Sequence, residues 1–495
     1  RPPSSVININ RRPLVLAGIE LWGVDTNIST GDSLQLTAGN DLTIRQAEVK
    51  AGGDLIAAAG NNLNVESVLN ESETNSYNSR NGKTRVTTTT TTQTIDQQAL
   101  TAGGNLILSA GNDVNLVAAK LDAGKGLGIS AGNDINASTL TTVDTSDTLE
   151  TRKRFKQTTA TRDETVYGTE FNAGGNLAMQ AGNDINLTAA TAASKNGAIS
   201  LAAGNDVNLL AASEQHDAVQ DMTKKKKGTF SSKTTTTHDE WQDNFAIGTA
   251  LSGESVNISA GNDVAVVGST VLATGDVRLA AGNNVTIESA QDTSSEAHSF
   301  SQKRSGLTGG IGGGVASIGY SKARSNSENA TESVTQVASS VGSTDGNLIV
   351  SAGNQLTIAA SDIGAGKDLT LAAKDIALLA RQDTVDSQAS QSSKSSGFSI
   401  GVTYDPGASY RSARDSTTKN MVDTGSTMSK ISRDAEGAAA GTMAAITPVV
   451  IQASSHRSNA SQNESTSDAR VREPLNNAPQ IRDTTRLMLR SDPCN

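Results

Sequence analysis

"SAGNDVNL" spans residues 109–116, and near copies recur as "TAGNDLTI" (37–44), "AAGNNLNV" (58–65), "SAGNDINA" (130–137) and "QAGNDINL" (180–187). Each joins two short runs in which apolar and polar residues alternate, the period of a half-buried strand. The phrase opens on Leu34, Leu55, Leu106, Leu127, Leu177, Ile199, Val256, Val277, Leu348 and Leu369, and four residues on always reaches alanine, from Ala38 to Ala373. The inward face of this strand therefore ends on something small. A turn follows at Gly39, Gly60, Gly111, Gly132, Gly182, Gly204, Gly261, Gly282 and Gly353. These glycines are expected at positive φ. The asparagine after each is expected to hydrogen-bond along a stack of its own kind.

After the turn the alternation resumes, as at Val114 and Leu116, and a third apolar point follows at Val49, Leu121, Val271 or Ile363. Three short strands and three corners make one coil. Leu34 to Leu55, Leu106 to Leu127, Val256 to Val277 and Leu348 to Leu369 are each 21 residues apart. A unit this short cannot bury its own apolar face and must stack on its neighbours. The expected fold is all-β: a right-handed parallel β-helix of about 21-residue coils. Each buried side chain contributes roughly 1.5–3 kcal/mol before chain entropy is subtracted.

The coils come in pairs. From Leu55 to Leu106, Leu127 to Leu177, Ile199 to Val256 and Val277 to Leu348 the step widens to 51, 50, 57 and 71 residues. The excess forms arms at about 67–101, 138–172, 210–252, 288–345 and 379–425. Threonine runs at 87–92 and 234–237 favour protruding hairpins. Each arm leaves acidic and then turns basic. The candidate surface-binding residues are Arg152, Lys153, Arg154, Phe155 and Lys156 in one arm, and Lys224, Lys225, Lys226, Lys227, Phe230 and Trp241 in another. Such clusters suit sulfated glycans or anionic lipid heads; the bland alternative pairs each basic strand with the acidic strand of its own arm.

Composition agrees with a thin, regular core: 495 residues, 35% hydrophobic and only 3% aromatic. A net charge of −10 argues against nucleic acid as the main partner. Cys494 is the single cysteine, so no intrachain disulfide or thiolate zinc site can form. His216, His238, His298 and His456 lack ligand spacing and read as solvated polar residues. No metal, cofactor or catalytic residue is assigned. Aspartates recurring along a line of turns suit a scaffold better than a polysaccharide-cleaving groove, although that enzyme class remains a rival. Residues 1–30 read as an irregular coil remnant, 31–425 as the β-helix with its arms and 426–495 as low-complexity linker, with 435–453 as a short helix or loose strand. The start at Arg1 suggests a piece of a longer polypeptide, and no run of transmembrane length is present.

The paired "AGND" phrases interrupted by Thr/Ser-rich arms, over roughly residues 30–425, resemble the haemagglutinin repeats of filamentous haemagglutinin-type exoproteins, including contact-dependent growth inhibition effectors. The resemblance implies a secreted, cell-surface protein of a Gram-negative bacterium, exported by an outer-membrane secretion partner. It implies contact with host cells, biofilm or neighbouring bacteria, either as the non-catalytic stalk of an adhesin or as the delivery segment of a toxin. Neither an amino-terminal secretion domain nor a toxin domain is recognised in the sequence.

Overall fold

A computed structural model of the chain describes residues 6–9, 14–17, 20–21, 26–80, 82–312, 315–403 and 456–465. It is a parallel β-helix whose wall consists of three sheets of 11 strands each. In one coil the three strands are Leu106–Ala110, Val114–Val117 and Lys120–Ala123. The alignment drawn from the sequence is the physical register: Leu106, Leu108 and Ala110 lie beside Leu127, Ile129 and Ala131, and those beside Leu177, Met179 and Ala181. Alternate residues point inward, so Leu106, Leu108, Val114, Leu116 and Leu121 are fully buried. The core is a column one coil wide, which explains how so few apolar residues suffice.

The turn glycines are required for a different reason from the one expected. None of them has positive φ; among the described residues that conformation falls at Gln46 (50°), Ala118 (46°), Ala189 (47°), Gly268 (55°) and Ala360 (45°), with Gly82 and Arg154 at hairpin tips. The first five occupy the corner where an armless coil passes from its second strand to its third. At the turn the constraint is vertical. A Cβ on Gly132 would strike the carbonyl oxygen of Gly111 and lie 2.9 Å from its carbonyl carbon; on Gly111 it would lie 3.0 Å from that of Gly60. Turns stacked about 4.8 Å apart leave no room for a methyl group there.

The polar residues of the turn bind coil to coil. Asn133 Nδ2 and the Asp134 N–H donate to Asp113 Oδ1 at 2.8 and 3.1 Å, and Asn183 and Asp184 repeat the contact on Asp134 at 2.8 and 3.0 Å. The turn asparagines thus donate mainly to aspartates, not to one another. The stack of asparagines lies one strand later, where Asn115 donates to Asn64 at 3.0 Å, Asn136 to Asn115 at 3.1 Å and Asn186 to Asn136 at 3.0 Å.

Where arms depart, buried hydroxyls serve the backbone that leaves the wall. Ser67 Oγ donates to Ala118 O at 2.7 Å and accepts from the Gln98 N–H at 2.9 Å; Thr249 Oγ1 donates to Leu187 O and Leu210 O. In "LAAKDIAL" (371–378), which lacks the turn glycine, the N–H groups of Lys374 and Asp375 both reach Asn354 O at 3.0 Å, closing the shortened turn. Near the start of the chain Val6–Ile9 pairs in parallel with Thr26–Thr30. Within the stretch read as linker, His456–Ser465 is a strand, whereas 435–453 lies outside the described residues.

Three substitutions test this account by native-state hydrogen exchange. Leu108→Asp buries an unpaired carboxylate and should cost roughly 4 kcal/mol or more, whereas Asp113→Asn, which keeps the accepting oxygen that Asn62 already supplies to the Asn112 side chain at 2.9 Å, should cost less than about 1 kcal/mol. Gly132→Ala should lose about 1–3 kcal/mol, spread over the two coils it forces apart. Equal protection in all three variants would refute the inward and stacking assignments.

Candidate binding face of the arm sheet

The arms are not separate. Four complete hairpins (Val68–Arg80 with Thr84–Asp96, Leu140–Arg152 with Phe155–Tyr167, Ala212–Lys227 with Ser231–Ile247, Ala290–Gly312 with Val315–Val337) and the pair Thr384–Thr403 with His456–Ser465 form one antiparallel sheet of 10 strands. Successive hairpins pair directly: Thr91 with Thr145, Asp163 with His216, Asn244 with Thr293 and Val334 with Thr384. The spacing makes this possible. Arms leave the same corner after every second coil, so their roots are about 9.6 Å apart, and a hairpin is itself two strands, about 9.6 Å, wide. An arm inside this sheet is hydrogen-bonded on both sides and cannot be deleted as an independent module.

Folding each arm back on itself also decides where its charge goes. The acidic ends of an arm meet at the root and its basic middle lies farther out, at the tip in the shorter arms and, at Lys303, Arg304, Lys322 and Arg324, part-way along the longer hairpin of Ala290–Gly312 and Val315–Val337. The pairing of acidic outgoing with basic returning strands does not occur: Lys224, Lys225, Lys226 and Lys227 face Thr235, Thr234, Lys233 and Ser232. Alternation sends Lys224 and Lys226 to one face and Lys225 and Lys227 to the other. Residues directly opposite share a face. Lys225 is therefore level with Lys303, Arg324 and Lys394 across Thr234, and Lys226 with Lys233 and Arg304.

The other candidates divide. Arg152 and Phe155 join the Lys224 row, but Arg152 is occupied by Glu150 and lies over the Phe155 ring at 4.3 Å. Lys153 and Arg154 form the hairpin tip, and Arg154 adopts φ 67°. Lys156 lies in the row of Thr223, on the face of Lys225. Phe230 is exposed at the tip of its arm. Trp241 is not at the tip: it lies opposite Ala218 and Glu296, in the acidic half, with its edge against His298 at 5.5 Å. Sequence reasoning passed over Lys233, Lys322 and Arg324; counting back from a hairpin tip in steps of two would have aligned Lys233 with Lys226.

The acidic root organises three of the four histidines; His456 lies instead opposite Ser395, but the other three are not simply solvated. Each stands opposite an aspartate on a neighbouring strand: His216 and Asp163, His238 and Asp221 (2.8 Å), His298 and Asp239 (3.0 Å). The second ring nitrogen of His216 reaches Glu214 at 3.2 Å and that of His238 reaches Glu240 at 3.3 Å. Two carboxylates around one ring require both nitrogens to donate, which is the imidazolium form. For His216, partial burial opposes the charge but the Asp163 and Glu214 contacts outweigh it, raising the pKa above 6.5; for His238 the Asp221 hydrogen bond leads the same upward shift. Burial lifts Asp292 above the ordinary carboxylate range although the Ala246 N–H donates to it at 2.7 Å.

Among the described residues no group of three or more His, Cys, Asp or Glu is arranged to hold a metal ion, and no helix is long and apolar enough to cross a membrane. An open depression on the arm sheet is lined by residues including Thr87, Leu149, Thr158, Ala160, Val219 and Asp221.

Comparison with known proteins places these features in context. The hemagglutinin repeat matches residues 23–82, 79–154, 151–306, 227–335 and 317–444. The chain is 32% identical over 394 residues to the tRNA nuclease CdiA of Escherichia coli (strain STEC_O31), which covers 79% of this chain and 12% of that protein. It is 32% identical over 403 residues to the tRNA nuclease CdiA-2 of Burkholderia pseudomallei (strain 1026b), covering 79% and 13%. A 16S rRNA endonuclease CdiA of Enterobacter cloacae is 36% identical over 238 residues, covering 48% and 7%. The chain thus spans about an eighth of the length of the first two relatives. No solved structure matches it.

The histidine pairs give the arm sheet a pH dependence of known sign. Because the folded-state pKa values are raised, the stabilisation is present in full below 6.5 and is lost as pH rises through the folded values. Exchange of arm amides beside His216 and His238, corrected for intrinsic rates, should accelerate over that rise while coil amides do not change. A double His216→Asn, His238→Asn variant should show no such step; persistence of the step would refute the assignment.

Proposed function

Because the chain belongs to the hemagglutinin repeat family, we propose that it is the non-catalytic stalk of a secreted surface protein of a Gram-negative bacterium, and that it makes contact through the tips of its arms. The observation that carries this reading is the separation of charge along the arm sheet. In a chain of net charge −10, basic residues from several arms collect in one distal band, while acidic residues gather nearer the root, several of them beside histidines or backbone N–H groups. A band of this kind attracts an anionic surface at a distance and is screened by salt.

Export through an outer-membrane secretion partner is part of the same reading and rests on the family. The β-helix holds the sheet rigidly, since stability accumulates by nearest-neighbour stacking. We assign no catalytic residue to this stretch: the turn aspartates are spent on coil-to-coil hydrogen bonds and do not converge on a groove. A second reading is favoured by the relatives' names, which are those of nucleases and a toxin. In it the same stalk presents an effector to a neighbouring bacterium, and the arms supply the contact that precedes delivery.

The test is substitution, because deletion of an arm would break the sheet. Replacing Lys224, Lys225, Lys226 and Lys227 with glutamine should lower adhesion to cells or anionic glycan several-fold and flatten its salt dependence. The β-sheet circular-dichroism signal should stay unchanged. Unaltered adhesion would refute a contact role for this arm.

A further inference from the structure

Within the distal band one row of residues works against the stability of the sheet that contains it. Lys226, Lys233 and Arg304 stand directly opposite one another on three adjacent strands and share a face. Like charges in that position repel. Among the described residues no carboxylate forms an ion pair with any of them, in contrast to Arg162 and Arg381, which are paired with Glu164 and Glu288. Their same-face neighbours along the strands are Lys224, Gly228, Ser231, Thr235, Gln302 and Gly306. None of these is a carboxylate. The Nε of Arg304 is buried without a hydrogen-bond partner. Burial, and then the charges of Arg304 and Lys226, hold the Lys233 ammonium below the ordinary lysine range. Three crowded cations with no carboxylate beside them form an arrangement that an incoming anion would relieve.

We propose that the row Lys226, Lys233 and Arg304 is a binding site for a tetrahedral oxyanion, a phosphate or sulfate ester, carried on a polysaccharide. The guanidinium, at the end of the row next to Ala323, donates to two ester oxygens at once, and the two ammonium groups act as point charges along the row on its other side. This rests on the reading of the arm tips as the contact surface and names the ligand class for it. A polysaccharide fits better than a bilayer because of what surrounds the row. On its own face the immediate neighbours beyond Lys224 are short or amide side chains that offer hydroxyls and amide groups, while the aromatic residues of that face, Phe155 opposite Lys224 and Phe300 two residues from Gln302, lie further toward the root. Beyond the row the exposed apolar residues Leu307, Ile318, Phe398 and Ile400 alternate onto the opposite face. Thr235 and Gln302, directly opposite each other and two residues along from Lys233 and Arg304, are placed to hydrogen-bond sugar hydroxyls next to the ester.

The experiment uses the full chain with Lys233→Gln and Arg304→Gln together, leaving Lys224 to Lys227 intact. Binding is measured to a heparin-derived octasaccharide, to phosphomannan and to phosphatidylglycerol vesicles. A Lys50→Gln, Lys125→Gln variant on the rod removes the same formal charge. The expected result is at least a tenfold loss of affinity for one or both polysaccharides in the row variant, little change in the rod variant, and a thermal midpoint of the row variant equal to or above that of the unaltered chain. The sulfated and phosphorylated ligands distinguish which ester the site prefers. Equal losses in the two variants would reduce the row to generic charge and overturn the proposal, as would polysaccharide binding that the row variant retains. Binding confined to vesicles would overturn it in favour of a lipid surface. Adhesion lost with the four lysines but retained in the row variant would sink this site while leaving the arm-tip reading in place.

Discussion

The structure depends on one commensurability: two coils of the β-helix rise as far as one hairpin is wide. Both distances are twice the strand spacing of about 4.8 Å. A chain that emits an arm after every second coil therefore brings successive arms into hydrogen-bonding register without any further adjustment. The backbone groups at the edges of each hairpin, which would otherwise be open to chance pairing, are taken up by the next arm. An arm after every coil would crowd, and one after every third would leave gaps. The rod and the arm sheet consequently stabilise each other although their strands run in different patterns, parallel in the wall and antiparallel in the arms.

The vertical spacing that permits this is set at the turns. Glycine occurs there because the carbonyl of the coil below occupies the place of a Cβ, and the aspartate two residues on receives the side chain and the backbone N–H of the coil above. Sterics and hydrogen bonding thus fix the same distance from opposite directions. The backbone distortion expected at these glycines is located instead at the armless corners, where Ala118, Ala189 and Ala360 adopt a conformation that costs an L-residue roughly 1–2 kcal/mol. The arm-bearing corners avoid it by letting the chain leave the wall, and buried serine and threonine hydroxyls there bond to backbone carbonyls of the neighbouring coil.

Charge follows from folding each arm in half. An arm that is acidic at both ends and basic in the middle becomes a hairpin with an acidic root and a basic stretch farther out, and tiling the hairpins converts these into two bands. In the root band His216 and His238, whose pKa values are raised, each lie between two carboxylates, and His298 stands beside Asp239. The tip band includes a row of uncompensated cations. This polarity is why a chain of net negative charge offers a positive surface to a partner.

The sequence by itself determined the strands, the coil length and the inward residues. All of these are local periodicities, and Leu106, Leu127 and Leu177 pair in space as their alignment in the sequence requires. It also carried the basic clusters as compositional facts. Only the tertiary structure decided what faces what. The approach of Gly111 to Gly60 is made by residues 51 positions apart, and the meeting of Lys233 with Arg304 is made across separate arms. Lys224 to Lys227 read as one cluster in the chain, yet alternation splits them between two faces, and Trp241 is carried away from them toward the root. The physical reason is that periodicity along a strand is fixed by the backbone, whereas the neighbours across a sheet are fixed by register, which depends on the stacking of coils far apart in the chain.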